Sequence, residues 1–354
     1  MVATLHDVAR IAGVSIKTVS NVVNDYPHVR EATRARVLSA IAEVDYQPNL
    51  SARGLRSGKT GVIGLAVPEL RQNYFAELAD AIIRAAERHN VAVVIDQTGA
   101  TREGEVAVLS GKRLRLTDGI LFSPERLGQE DIELLDVDFP VVLLGERMFD
   151  GPTDHVTMNN VECARVATEH LIGIGRRRIA VIGAHPTHQD DIRSANLRMR
   201  GYREALAAAG IDYDESLVRV AAPWHRENGA AAMRSLLDDG VEFDAVFTFN
   251  DTLGLGALRA LGEAGVRVPE DVALVGFDNI DETRFSVPSM SSVDPGRDQI
   301  AQLAVDLLIE RINEKGDPQP PRQVLADFHV VGRESTGFAQ PPEAASAVTM
   351  VEDD

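Results

Sequence analysis

Cysteine is all but missing: Cys163 is the one such residue in 354. No intramolecular disulfide can form, a cluster of thiolate metal ligands is excluded, and a reducing compartment suits the chain. Long apolar runs are missing too. No stretch approaches the roughly 18 residues that a membrane-spanning helix requires, so no membrane partner is expected. The opening MVATLHDVARIAGVS has no basic segment followed by an apolar one. No secretory leader is therefore expected, and the cytoplasm is the expected compartment. Several chemistries lack their signatures: there is no G-x-S-x-G turn, no H-E-x-x-H helix and no phosphate-binding P-loop. Gly173-Ile174-Gly175 lacks the third glycine of a dinucleotide loop and follows a helical pattern. It reads as a helix end trailed by three arginines, which suit the helix dipole. The histidines are scattered, and His185 and His188 have no third ligand nearby. The expectation is a protein that is not an enzyme and holds no metal or cofactor.

Positive charge is also scarce, with 36 Lys and Arg against 54 Asp and Glu, a net −18. The deficit is uneven. Residues 1–60 hold eight basic and five acidic residues, a balance of +3, and the rest of the chain holds 28 against 49, or −21. The N-terminal segment can approach a polyanion that the body would repel, which favours docking by one end. With 44% hydrophobic residues, the chain is long enough for more than one domain and a large core.

Residues 4–45 read as three short helices. Thr4 followed by Asp7 is a capping-box-like start, and Leu5, Val8, Ala9 and Ala12 share one helical face. Gly13 stops this helix, Val14 fills the turn, and Ser15 caps a second helix reaching about Asn24, with Val19, Val22 and Val23 apolar. A third helix, from about Glu31 to Val44, carries Val37, Leu38, Ile41 and Val44. A helix, a turn with glycine and a second helix make the layout of a helix-turn-helix DNA reader, and equally of any small helical hairpin. Small Ala9 and Ala12 let the helices cross closely. The second helix leaves Ser15, Ile16, Lys17, Thr18, Asn21 and Asn24 outward, groups that suit base edges and phosphates. Further on, Asn49 is a good N-cap for a short element over 50–56, and Ser57-Gly58-Lys59-Thr60-Gly61 reads as a linker.

From Val62 onward, short apolar runs alternate with helical patterns. Strands are expected at Val62–Val67, Ala92–Asp96, Gly119–Ser123, Val141–Gly145, His155–Met158, Ile179–Gly183, Leu217–Ala221, Ala245–Phe249 and Val272–Phe277. Helices such as Phe75–His89 and Val161–Ile174 lie between them. Continuous apolar strands with helical crossovers predict doubly wound parallel sheets, and about nine strands suit two subdomains better than one wide sheet. The tail 339–354 is small, contains proline and ends acidic, so it is expected to be disordered.

The string from Thr4 to Asn24, continued by Tyr46-Gln47-Pro48-Asn49, resembles the N-terminal signature of the lactose/galactose-repressor family, and the resemblance runs on to Val331-Gly332-Arg333-Glu334-Ser335-Thr336. It implies an all-α helix-turn-helix domain (1–46), a hinge helix and linker (47–60), and an effector-binding and dimerisation body (61–338). The body would hold two doubly wound subdomains of periplasmic-binding-protein type, one from about 61–160 and 291–325, the other from about 161–290 and 326–338. By the same resemblance, Ile16 and Lys17 set operator preference, Asn21 lies further along that face, and Ser15, Thr18 and Asn24 hold phosphates. Leu55 matches the leucine that wedges into the minor groove at the operator centre, with Ala52 one turn earlier and Asn49 at the start of the hinge.

Ligands of such a body bind between the sheets, at the C-terminal ends of the strands. There Asn250, next to Asp251, and Asp278 offer the bidentate hydrogen bonding that vicinal hydroxyls need. Ser123 ends a strand on the rim. The resemblance adds Arg198 as an effector-binding arginine, Trp224 as an aromatic packing on the ligand, and Tyr74 and Phe75 as pocket aromatics. Asp251 reads better as a helix cap, and Arg198 and Asp278 have the alternative of a buried pair. The sequence departs from the family at Gly145-Glu146-Arg147, where many members carry an Asp after the strand. Glu146 stands in with a different reach. The expected function is a repressor released from a pseudopalindromic operator by a sugar or sugar derivative. The alternative is a repressor that needs a purine-like co-repressor. No heptad tail follows Thr336, which favours a homodimer.

Overall fold

A computed structural model describes residues 3–23, 26–46, 59–111, 114, 116–185, 193–317 and 319–338. The chain divides into two compact units, Met1–Gly61 and Val62–Asp354.

The first unit holds α1 (Leu5–Ala12), α2 (Ile16–Val23) and α3 (Glu31–Glu43). The capping box that Thr4 and Asp7 predict is present: Asp7 Oδ2 accepts from Thr4 N at 3.0 Å, and Thr4 Oγ1 accepts from Asp7 N at 3.4 Å. Gly13 closes α1 in the left-handed region, with φ 62°. Val8, Val19 and Val37, one from each helix, are fully buried together, so three short helices share one small core.

The second unit opens with β1 (Val62–Val67), α4 (Asn73–Glu87), β2 (Ala92–Gln97), α5 (Arg102–Leu109), β3 (Ile120–Phe122), β4 (Val141–Leu144) and β5 (Asp154–Thr157). It continues through α6 (Asn160–Gly173), β6 (Ile179–Ala184), α7 (Ser194–Ala208), β7 (Val218–Val220), α8 (Arg226–Asp238), β8 (Ala245–Thr248), α9 (Asp251–Glu263) and β9 (Ala273–Phe277). It ends with α10 (Glu282–Phe285), β10 (Ser291–Asp294), α11 (Arg297–Asn313), β11 (Gln323–Leu325) and β12 (His329–Val331). Two six-stranded sheets result, ordered β11-β5-β4-β3-β1-β2 and β12-β10-β9-β8-β6-β7. The pairings are parallel except β10 with β12. Strands such as β4, β6 and β9 are buried along their whole length, which is why they read as unbroken apolar runs. Among the described residues, no helix is long and apolar enough to cross a membrane.

All nine expected strands form, each within a residue of its expected ends. Three more were not expected. Ser291–Asp294 reads as polar, yet its serines are buried and their hydroxyls are bonded: Ser291 Oγ lies 2.7 Å from Thr336 Oγ1, and Ser292 Oγ donates to Asp251 Oδ1 at 2.7 Å. This strand pairs with β9 in the second sheet, so the boundary expected at 291 moves past Asp294. β11 and β12 have three residues each, too few for a period to show. The chain therefore crosses between the sheets three times, after β5, after β10 and after β11. The expected hinge and the tail lie outside the described residues.

Candidate functional site

In the first unit, Val19 and Val22 turn α2's apolar face into the core. Lys17 is exposed, while Ile16, Thr18 and Asn21 are half-buried. Ser15 Oγ accepts from Thr18 N at 3.1 Å and lies 2.9 Å from Thr18 Oγ1. Both hydroxyls thus hold the helix start, as an N-cap does, while Ser15 stays exposed. Asn24, Asn49, Ala52 and Leu55 lie outside the described residues.

In the second unit, a cavity of about 570 Å³ lies where the segments following β1, β3, β4, β6, β8 and β9 converge. These are the C-terminal ends of strands from both sheets. All eight expected residues, Tyr74, Phe75, Ser123, Glu146, Arg198, Trp224, Asn250 and Asp278, line it.

Arg198 is buried on α7. Its Nε donates to Asn160 Oδ1 at 2.8 Å, Nη1 donates to the carbonyl of Phe249, and the guanidinium lies over the Phe277 ring, 3.5 Å from the centroid. Asp278 Oδ1 is 4.0 Å away. With both side chains buried, the alternative of a buried ion pair is met at the limit of an ion contact, beyond hydrogen-bond reach. Asp278 follows β9 with φ 109°. Burial pushes its carboxyl from 3.8 up to about 7, with Arg198 and Arg297 opposing. Burial likewise pushes the Tyr74 phenol up, and the nearby Asp278 and Glu146 add to this.

Trp224 donates Nε1–H to Gly183 O at 3.1 Å and packs edge-on against Phe249. Its ring position is therefore fixed by strand backbone on one side while it walls the cavity on the other. Asn250, not Asp251, caps α9, with its side chain accepting from Leu253 N at 2.8 Å. Asp251 is fully buried and is not part of the cavity wall. Glu146 accepts from Asn160 Nδ2 at 3.3 Å, so Asn160 joins Glu146 to Arg198.

Sequence reasoning missed Asn160 and a group nearer the mouth. Glu69 follows β1, and its Oε1 lies 2.6 Å from His225 Nε2, which precedes α8 on the other half of the body. Against the effect of burial, hydrogen bonds from His225 and Gln72 hold Glu69 below its ordinary range. Glu125 also lines the wall, and burial pushes it up. The buried Glu105 carboxylate accepts from the backbone N–H groups of Glu125, Arg126 and Leu127 at 2.7–3.1 Å, which fixes the loop after β3. The rule that function sits at strand ends would have found Glu69 and Glu125. Nothing local marks Asn160 or His225. His185 lines the cavity, His188 lies outside the described residues, and no metal-holding group of His, Cys, Asp or Glu occurs among the described residues. Carboxylates, hydroxyls and an amide beside aromatic faces can accept from ligand hydroxyls while the rings cover apolar C–H surfaces.

A model of bacterial regulatory proteins, lacI family, matches residues 4–49, and one of the periplasmic binding protein-like domain matches 168–336. The HTH-type transcriptional regulator CelR of Thermobifida fusca is 35% identical, over 94% of this chain and 98% of its own. The repressor PurR of Vibrio atlanticus is 32% identical, over 88% and 93%. Among solved structures, a LacI-family protein from Sanguibacter keddieii is 51% identical, with a TM-score of 0.73 over 78% of this chain and 99% of that one. The CelR–cellobiose complex is 34% identical, with a TM-score of 0.67 over 94% and 99%. The Lac repressor dimer bound to operator is 26% identical, with a TM-score of 0.77 over 95% and 99%. A reading helix on a three-helix unit, a two-sheet body and these likenesses along nearly the whole length agree: the chain belongs to the lacI family of bacterial regulatory proteins.

Proposed function

We propose that this protein represses transcription from a pseudopalindromic operator as a cytoplasmic homodimer, and that a neutral, hydroxyl-rich ligand, a sugar, releases it. Residues 1–46 read the DNA, with Ile16, Lys17 and Asn21 toward base edges and Ser15, Thr18 and Asn24 toward phosphates. Residues 47–60 form the hinge, from Asn49 through Ala52 to Leu55. The body binds the ligand and makes the dimer.

The observation that carries the ligand class is the cavity wall. Among the described residues, no hydrogen bond holds the Asp278 carboxyl, and Glu125 and Glu146 stand on the facing half. Acceptors are prominent in what is left for a ligand, because three of Arg198's five N–H donors are already committed, to Asn160, Phe249 and Met158. Hydroxyl groups donate to such a wall, and Trp224 and Phe75 cover the ring faces. A purine would stack on the same aromatics but offers fewer donors. CelR was solved with cellobiose, which supports a glycoside as the first ligand to try.

The test is footprinting of the full chain on palindromic duplexes, with and without a panel of neutral sugars, sugar phosphates and purines. Protection that a neutral sugar relieves is the expected outcome. Protection that appears only with a purine would establish the co-repressor reading. Protection of no palindromic duplex under any condition would refute the proposal.

A further inference from the structure

Two adjacent residues that are not glycine, Asp278 and Asn279, have positive φ, 109° and 49°. Such backbone is strained and persists only where its surroundings hold it. Here the holding groups are buried and polar. Asp278 N donates to Val293 O at 2.9 Å. Asn279 N donates to Ser292 Oγ at 3.0 Å, and Ile280 N donates to Asp251 Oδ2 at 2.9 Å. Ser292 Oγ in turn donates to Asp251 Oδ1 at 2.7 Å. One carboxylate, fully buried at the start of α9, thus ties down the turn both directly and through Ser292. The fit behind it is tight: a Cβ on Gly276 would lie 2.0 Å from Asp251 Oδ1, so the strand leading to Asp278 carries glycine where that oxygen sits. Asp251 does not line the cavity; Asp278, at the end of the turn it holds, does.

We infer that Asp251 is a positioning residue for ligand recognition: it holds the strained turn that aims the Asp278 carboxylate into the cavity. This rests on the reading of the cavity as the ligand site, but one arm of the test does not. Asp251→Asn keeps the shape, with a carbonyl for Ile280 N and an amide that donates to Ser292 Oγ. Asp251→Ala keeps neither. Both remove the carboxyl group, so a difference between them is positional. Carboxyl carbon NMR of the full chain follows the titration of Asp278, its signal identified by its loss in Asp278→Asn. Calorimetry with cellobiose follows binding.

The expected result is that Asp251→Asn leaves the affinity within about threefold, while Asp251→Ala weakens it about tenfold or more. Asp278 then titrates about a unit or more lower in the Ala than in the Asn variant, because the freed turn lets the carboxylate reach water. Equal titration in the two variants would overturn the inference, whatever cellobiose does. If cellobiose fails to bind the wild type, the ligand reading is in question while the titration still decides this one. If Asp251→Ala does not fold, Ser292→Ala takes its place. It cuts the relay from Asp251 Oδ1 through Ser292 to Asn279 N and leaves the direct bond from Ile280 N, and an unchanged Asp278 titration there is equally fatal.

Discussion

Asp278 makes the protein's stability depend on pH in an unusual direction. A carboxyl whose native value is about 7 instead of 3.8 stays protonated in the folded protein over a range where the unfolded chain has lost its proton. The folded state therefore binds more protons between roughly pH 4 and 7, and stability falls as pH rises through that range. The full shift corresponds to about 4 kcal/mol at 1.36 kcal/mol per pH unit. Of this, about 2.5 kcal/mol is lost between pH 5 and 8 by the linkage relation.

Other groups contribute too. Burial also raises Asp251, Glu125 and Glu77, which act in the same direction. Burial lowers His155 and His170, whose contribution rises with pH up to the ordinary histidine value. The raw curve of the wild type is thus a sum of opposing slopes, and only a difference isolates Asp278. Urea unfolding of the ligand-free protein and Asp278→Asn at several pH values provides it. The variant should match the wild type near pH 5 and exceed it by about 2.5 kcal/mol at pH 8, or by roughly 5–10 °C in Tm for a body of this size. A gap that stays constant with pH, or that grows toward acid, would show that the carboxyl is not held neutral in the empty cavity.

Lys17→Ala should change which operator bases are preferred in competition binding; a uniform loss over all sequences would mean that Lys17 touches only phosphate. Arg198→Met should abolish release by ligand while operator affinity stays within about threefold, because the two functions reside in different units; retained release would misplace the pocket. Asp154 is fully buried between Arg311, at 2.7 Å, and Arg322, at 3.0 Å. Asp154→Ala should cost about 1–3 kcal/mol in chemical denaturation, because Arg311 and Arg322 lose their buried acceptor but keep Glu314 and Glu310, and no measurable loss would show that these remaining partners and water replace it fully.

What the sequence made legible follows from what is local. The inner strands, such as β4, β6 and β9, are runs of β-branched and apolar residues buried on both faces, so period and burial agree there. Ser291–Asp294 was invisible because its polar side chains are satisfied by Asp251, Arg333 and Thr336, partners some 40 residues away in the chain. The cavity residues divide in the same way. Ser123, Asn250 and Asp278 sit at strand ends, where position alone nominates them, and Tyr74, Arg198 and Trp224 came through family likeness. Asn160 sits at the first position of α6 and looks like an ordinary helix start. Its place between Glu146 and Arg198 exists only once both sheets are assembled. The assignment of Asp251 as a cap failed by one residue. Asn250 and Asp251 are both good caps in isolation, and the choice between them was made by the turn after β9, far along the chain.

The contacts that hold the two halves of the body together at the cavity mouth bear on how a ligand could control it. Arg71 and Glu227 meet at 3.3 Å with both side chains about two-thirds exposed, and a pair of that kind contributes at most about 1 kcal/mol. His225 and Glu69 are better shielded, and further ties at this edge are hydrogen bonds: Asn73 with Glu282 and with Arg226, Asp281 N to Glu77, and Arg297 to the carbonyl of Asn279. Deeper in the body one buried apolar cluster takes residues from both halves, from Ile63 and Leu78 to Phe247 and Phe277. A change of setting at the mouth therefore works against a few weak polar contacts while that cluster keeps the halves together. An allosteric coupling of about 1–3 kcal/mol is comparable to the resistance of those polar contacts. A ligand bridging Asp278 on one half and Glu146 on the other gains contacts only when the halves are correctly set. It can then supply a bias of this size without disturbing the core of either half.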